Sequence, residues 1–132
     1  MIEIIKTLPE HVLGVRATGE VTREDLETVL IPAMDALVER SGGIHYLLVL
    51  DTDVKNWDFG AWVSDAKMGL KYFTKWHKIA VVTEQESVRA FTNGFSAMVP
   101  GEARGYTHAQ LQEATDWVIE HDAKDARAGA TA

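Results

Sequence analysis

The stretch Ile44-His45-Tyr46-Leu47-Leu48-Val49-Leu50 decides the fold. Apart from His45 it is apolar without a break, the pattern of a strand covered on both faces; a strand with one wet face would alternate. Ile79-Ala80-Val81-Val82 repeats the pattern, and the segment from about Phe59 to Trp76 between them reads as a helix. Buried strand, helix, buried strand is the unit of a parallel sheet joined by right-handed crossovers.

Working towards the start, Leu26, Val29, Leu30, Ala33 and Leu37 recur at helical spacing behind a capping-box-like pair, Thr22 and Asp25. Pro32 lacks an N–H and crowds the preceding turn, so it marks a kink or the start of the helix's second half. Ser41-Gly42-Gly43 closes that helix. Ahead of it, residues 2–7 and 12–19 are β-branched runs split by Pro9-Glu10-His11, an antiparallel pair of strands. Towards the end, Thr83 and Glu86 suggest a second capping box, with Val88, Phe91, Phe95 and Met98 forming the apolar side of a helix that stops near Pro100-Gly101. Residues 102–106 read as a short edge strand, and Thr107 with Gln110 opens a last helix through Leu111, Ala114 and Val118 to about His121. The expected fold is α/β: a mixed, mostly parallel five-stranded sheet covered by helices, in the order ββαβαβαβα. Residues 1–121 make one domain, and 122–132, small and polar without a hydrophobic period, a disordered tail.

Composition excludes several classes of function. The chain of 132 residues has no cysteine, which removes disulfides, thiolate metal sites and cysteine nucleophiles. Its net charge of −7 opposes nucleic-acid binding. No apolar run approaches the roughly 20 residues that span a bilayer, and Met1 to Lys6 has no signal-peptide pattern, so a cytoplasmic location is expected. The five histidines, His11, His45, His77, His108 and His121, share no metal-ligand spacing, and no Gly-rich phosphate loop follows a strand. No metal and no cofactor is expected, and His45 reads as a hydrogen-bonded core residue rather than a base.

Leu26 to Leu37 ahead of Gly43, Leu47 to Asp51, and Trp57-Asp58-Phe59 together resemble the SpoIIAA-like family, a branch of the fold shared by STAS and Sec14-type domains. Asp65 to Lys67, Gly69, Lys78 to Val82, Glu113-Ala114 and Trp117 extend the likeness over about residues 1–120. The resemblance implies the fold above and either a protein-interaction module or a binder of lipid or small molecules. STAS regulators carry a phosphorylatable serine after the central strand; here Asp51 to Gly60 contains none, which speaks against a phosphoserine switch.

Two features carry candidate chemistry. Leu47 to Asp53 is an apolar strand ending in Asp-x-Asp, similar to the first motif of haloacid-dehalogenase-like phosphatases, with Asp51 as nucleophile, Asp53 as general acid and Thr83 holding phosphate. The later acidic pair that such enzymes use for magnesium is missing, and aspartates at strand ends more often cap turns, so catalysis is not expected. The helix from Phe59 is the second feature. At 100° per residue Trp62, Ala66, Gly69, Phe73 and Trp76 share one side, with Lys67, Lys71 and Lys75 roughly opposite and Met68 and Tyr72 on the flank. The aromatic side should pack on the sheet, Gly69 allowing a close approach to a strand, and the lysines face solvent or an anionic membrane surface.

Ligands of open α/β sheets gather beyond the carboxyl ends of the strands near a switch in strand order. That rim should contain Asp51, Asp53, Trp57, Thr83 and Tyr106, with Trp57, Trp62 and Phe73 as the wall. The leading expectation is a non-enzymatic domain for a lipid-like or small apolar ligand. The alternative is a STAS-related adaptor that binds a protein or another copy of itself, and the magnesium phosphatase comes third.

Overall fold

The structure is a computed structural model that describes residues 1–97 and 101–120, without the side chains of Val54, Phe59 and Trp62. Met98, Pro100, His121 and the expected disordered tail 122–132 lie outside the described residues. The elements in order are β1 (Ile2–Ile5), β2 (Val12–Ala17), α1 (Arg23–Asp25), a π-helical turn (Leu26–Leu30), α2 (Ile31–Ser41), β3 (Ile44–Leu50), α3 (Phe59–Lys71), β4 (Trp76–Val82), α4 (Glu86–Phe95), β5 (Glu102–Tyr106) and α5 (Leu111–Ile119). They form one five-stranded sheet in the order β1-β2-β3-β4-β5, antiparallel between β1 and β2 and parallel from β2 to β5.

Crossovers that are right-handed and all step in one direction must lie on one face of the sheet. α2, α3 and α4 accordingly share a face, where Leu26, Leu30, Met34 and Leu37, then Ala61, Met68 and Tyr72, pack with Tyr46, Leu50, Ile79 and Val81. The opposite face, Leu47, Val49, Ala80 and Val82, is covered by Ala114, Trp117 and Val118 of α5. The two uninterrupted apolar runs are therefore covered on both sides, as their composition requires. Because the strand order never reverses, the sheet has no switch point, and the crevice expected from one does not arise.

Local signals explain the first helix. Thr22 Oγ1 accepts from Asp25 N at 3.1 Å, while Asp25 Oδ2 accepts from Thr22 N at 3.0 Å. Pro32 stands at the start of α2 inside a continuous helical run, and the π-helical turn immediately before it joins the two halves. Gly42 ends α2 at φ 72°, a left-handed cap that side chains resist.

Polar residues inside β3 and β4 have a structural task. The last carbonyls of α5 have few helical partners, Trp117 O accepting only the Glu120 N–H at 3.3 Å among described backbone groups. Ile119 O accepts from His11 Nε2 at 2.7 Å, Val118 O from His45 Nδ1 at 2.6 Å and Trp117 O from Lys78 Nζ at 3.0 Å. Lys78, only 4% exposed, also lies 5.0 Å from the centre of the Trp117 ring. Cationic and N–H donors at a helix C-terminus also oppose its negative dipole end. His45 is thus the hydrogen-bonded core residue anticipated.

Three expectations about helices need correction. α3 stops at Lys71, so Phe73 falls in a 3-10 turn and Trp76 begins β4. Its buried stripe is Ala61, Ser64, Met68 and Tyr72, while Ala66 is exposed and a side-chain atom added at Gly69 would meet nothing within 4 Å. The stripe drawn through the aromatic residues counted two that lie beyond the helix. α4 is capped at Gln85 rather than Thr83, because Thr83 N still bonds Tyr106 O as part of the sheet and its hydroxyl accepts from Gln85 N. Finally, Phe91 is 72% exposed, and Thr92 takes the buried position between Val88 and Phe95.

Candidate functional site

Two glycines determine where the helical layer opens. Gly60 lies so near α1 that an added Cβ would sit 2.9 Å from Arg23 Cβ, and α3 accordingly leans on α1. Gly105 lets α4 settle directly on β5, where a Cβ would lie 2.7 Å from Arg89 Cα. Asn93 Oδ1 accepts from Gly105 N at 2.9 Å and Ser96 Oγ from Ala103 N at 3.1 Å, so α4 also occupies N–H groups of the edge strand. With one helix drawn towards α1 and the other towards the sheet edge, the floor between them is left partly uncovered.

That gap is a pocket of about 340 Å³. Leu48, Leu50 and Val81 line it from β3 and β4, Ser87, Val88 and Phe91 from α4, and Trp57 with Asp65 from the other side. Trp57 is held there by backbone bonds that tie its loop to Val21, Val21 N to Asn56 O at 3.1 Å and Asp58 N to Val21 O at 2.9 Å. Among the described residues of the lining Asp65 alone is charged, and its burial there pushes the carboxyl from 3.8 up to about 6. The buried Tyr46 phenol is raised as well, first by its own desolvation and then by the charge of Asp65.

A second opening, about 430 Å³, lies at the carboxyl ends of the strands and is polar: Asp51, Thr52 and Asp53 after β3, Thr83, Glu84 and Gln85 after β4, and His108 after β5. Its groups engage one another. Asp51 accepts from Arg16 on one oxygen and from His108 Nε2 on the other, the latter at 2.6 Å. His108 Nδ1 lies 3.1 Å from Glu84 Oε2, which also accepts the His108 backbone N–H at 2.8 Å. Burial opposes ionisation of Asp51, but the bonds from Arg16 and His108 outweigh it and hold the carboxyl below its ordinary value. The bonds from His108 likewise hold Glu84 low, its backbone N–H first. Asp53 is lowered chiefly by the N–H of Lys55, at 2.9 Å. An attacking aspartate needs an oxygen directed at phosphorus, whereas both Asp51 oxygens accept protein hydrogen bonds. Among the described residues no cluster of three or more His, Asp or Glu is placed to hold a metal ion.

The expected site residues are therefore dispersed. Asp51, Asp53 and Thr83 meet in the polar opening, and Trp57 lines the apolar one. Tyr106 lies on the opposite face of the sheet, its ring 6.3 Å from that of Trp117. Phe73 is exposed and lines neither opening, and the Trp62 side chain lies outside the description. Lys67 and Lys75 are exposed, while Lys71 pairs with Asp35 at 3.1 Å. Sequence reasoning missed Asp65, Phe91 and His108. Asp65 had a readable signal, an acid three residues before Met68 and four after Ala61 on one helical stripe.

Comparison with known proteins agrees with the fold. The model of the SpoIIAA-like family matches residues 12–119. The chain belongs to the SpoIIAA-like family. A solved structure similar to this SpoIIAA-like domain is an uncharacterized protein of the DUF3478 family with a SpoIIAA-like fold from Shewanella loihica PV-4. It is 25% identical, with a TM-score of 0.63, and the match covers 89% of this chain and 92% of that one. No curated protein matches the chain. No described helix is long and apolar enough to cross a membrane.

Proposed function

We propose that this chain is a non-enzymatic binding domain that holds a lipid-like or small apolar ligand between α3 and α4. The observation that carries this reading is the pocket over Leu48, Leu50 and Val81. At about 340 Å³ it falls in the size range of small-molecule sites, and its lining is almost wholly apolar. The polar opening is a weaker candidate, since Asp51 and His108 already engage each other and their neighbours.

A second reading, an interaction module, draws on the exposed apolar residues Leu70 at 77%, Phe73 and Phe91. Leu70 lies beside Lys67 and Lys71 on the outer side of α3, an amphiphilic surface that suits an anionic membrane or a protein partner, including a second copy of the chain. Native mass spectrometry of gently purified protein, with an organic extract of the same sample, separates the readings. The ligand reading expects a stoichiometric small mass that is lost on denaturation. Protein free of small molecules, present as a dimer or with a bound partner, overturns it in favour of the module.

A further inference from the structure

Asp65 does not fit an ordinary lipid pocket. It stands half-buried beside the buried stripe of α3, with Ala61 one turn before it and Met68 nearly one turn after, and it lines the pocket. No hydrogen bond or ion pair to Asp65 occurs among the described residues, and no basic side chain lines the pocket. Ionising a carboxylate against apolar side chains is costly unless a cation pairs with it.

The remaining lining suits a cation. Trp57 and Phe91 border the same space, and the faces of aromatic rings attract positive charge. Ser87 adds a hydroxyl that accepts a hydrogen bond from an ammonium group. The charge of −7 on the whole chain favours the approach of cations and disfavours fatty-acid anions.

From the unpartnered carboxylate on an apolar, aromatic wall, the geometry points to a ligand that is an apolar amine, whose protonated nitrogen pairs with Asp65 while its hydrocarbon part covers Leu48, Leu50 and Val81. This assignment rests on the pocket being a binding site and specifies what enters it. A neutral lipid leaves the carboxylate unbalanced, and an anionic lipid opposes it.

Three probes of one shape test this: n-octylamine, n-octanol and n-octanoate, titrated below their micellar concentrations by calorimetry at pH 7.5. The expected order is amine first, by about ten-fold over the alcohol, with the carboxylate weakest. In Asp65→Asn the amine's advantage disappears while octanol binding persists. In the wild-type protein, amine affinity falls about ten-fold between pH 7.5 and pH 5 as Asp65 takes up its proton, and octanol affinity stays level. Octanol binding as tightly as octylamine, or an amine preference that survives in Asp65→Asn, overturns the amine assignment and leaves the pocket reading standing. Failure of all three probes, together with the neutral dye Nile red, overturns both. If Asp65→Asn does not fold, the wild-type pH profile decides alone, and a flat amine affinity refutes the assignment.

Discussion

Replacing Asp65 with asparagine should make the protein more stable, by an amount that depends on pH. The carboxyl is raised from 3.8 to about 6 by the desolvating pocket, so the folded state holds this proton more tightly than the unfolded chain does. Its ionised form therefore destabilises the fold. The penalty is complete above the folded value and fades as pH falls through the interval towards 3.8. The interval corresponds to about 3 kcal/mol, and screening through the pocket mouth lowers this to about 2–3 kcal/mol at pH 7.5. At pH 4 the carboxyl is protonated in the folded state and close to half protonated in the unfolded chain, so less than about 1 kcal/mol of the penalty remains. Asparagine copies the shape of the protonated acid and carries no charge, so the substitution isolates the ionisation. Urea unfolding followed by tryptophan fluorescence at both pH values measures the difference. Equal stability of the two proteins at pH 7.5, or a gain of the same size at pH 4, would refute the burial argument.

Other substitutions probe the pocket and its supports. Val88→Phe should fill part of the space between α3 and α4 and weaken Nile red binding at least ten-fold, with stability changed by about 1–3 kcal/mol; unchanged dye binding would remove the pocket as the site. Gly105→Ala forces α4 off β5 and should destabilise by about 1–3 kcal/mol in chemical denaturation, a cost that an unchanged midpoint would contradict. Lys78→Met keeps the aliphatic stem but removes the donor to Trp117 O, and about 1–3 kcal/mol should be lost, with faster amide exchange in α5 than in β3. Conversion of Lys67, Lys71 and Lys75 to glutamine should weaken binding to acidic vesicles if α3 meets a membrane; binding that persists would rule out the lysines as the contact.

Much of the architecture was legible in local pattern. The unbroken apolar runs at Ile44–Leu50 and Ile79–Val82 announce strands covered on both faces, and the observed sheet places them in its interior. Thr22 with Asp25, Pro32, Gly42 and Thr107 with Gln110 mark helix ends because capping and backbone restriction act over a few residues. Where pattern failed, a partner distant in sequence had intervened. Thr83 resembles a cap, yet its N–H is held by Tyr106 across the sheet. Phe91 keeps helical spacing with Val88 and Phe95 but is exposed, because α4 is drawn to the sheet edge by Gly105, Asn93 and Ser96.

The candidate site divides along the same line. Composition and hydrophobic period were sufficient for the α/β class, the parallel core and the family resemblance, since each depends on which residues shun water and on short-range backbone preference. They could not bring Asp51 to His108, 57 positions apart, or show that Tyr106 faces α5 rather than the rim. Nor could they disclose a gap in the helical layer. A pocket is space left by helices that found other partners, Gly60 beside Arg23 and Gly105 beneath Arg89, and that choice is made only when the whole chain packs.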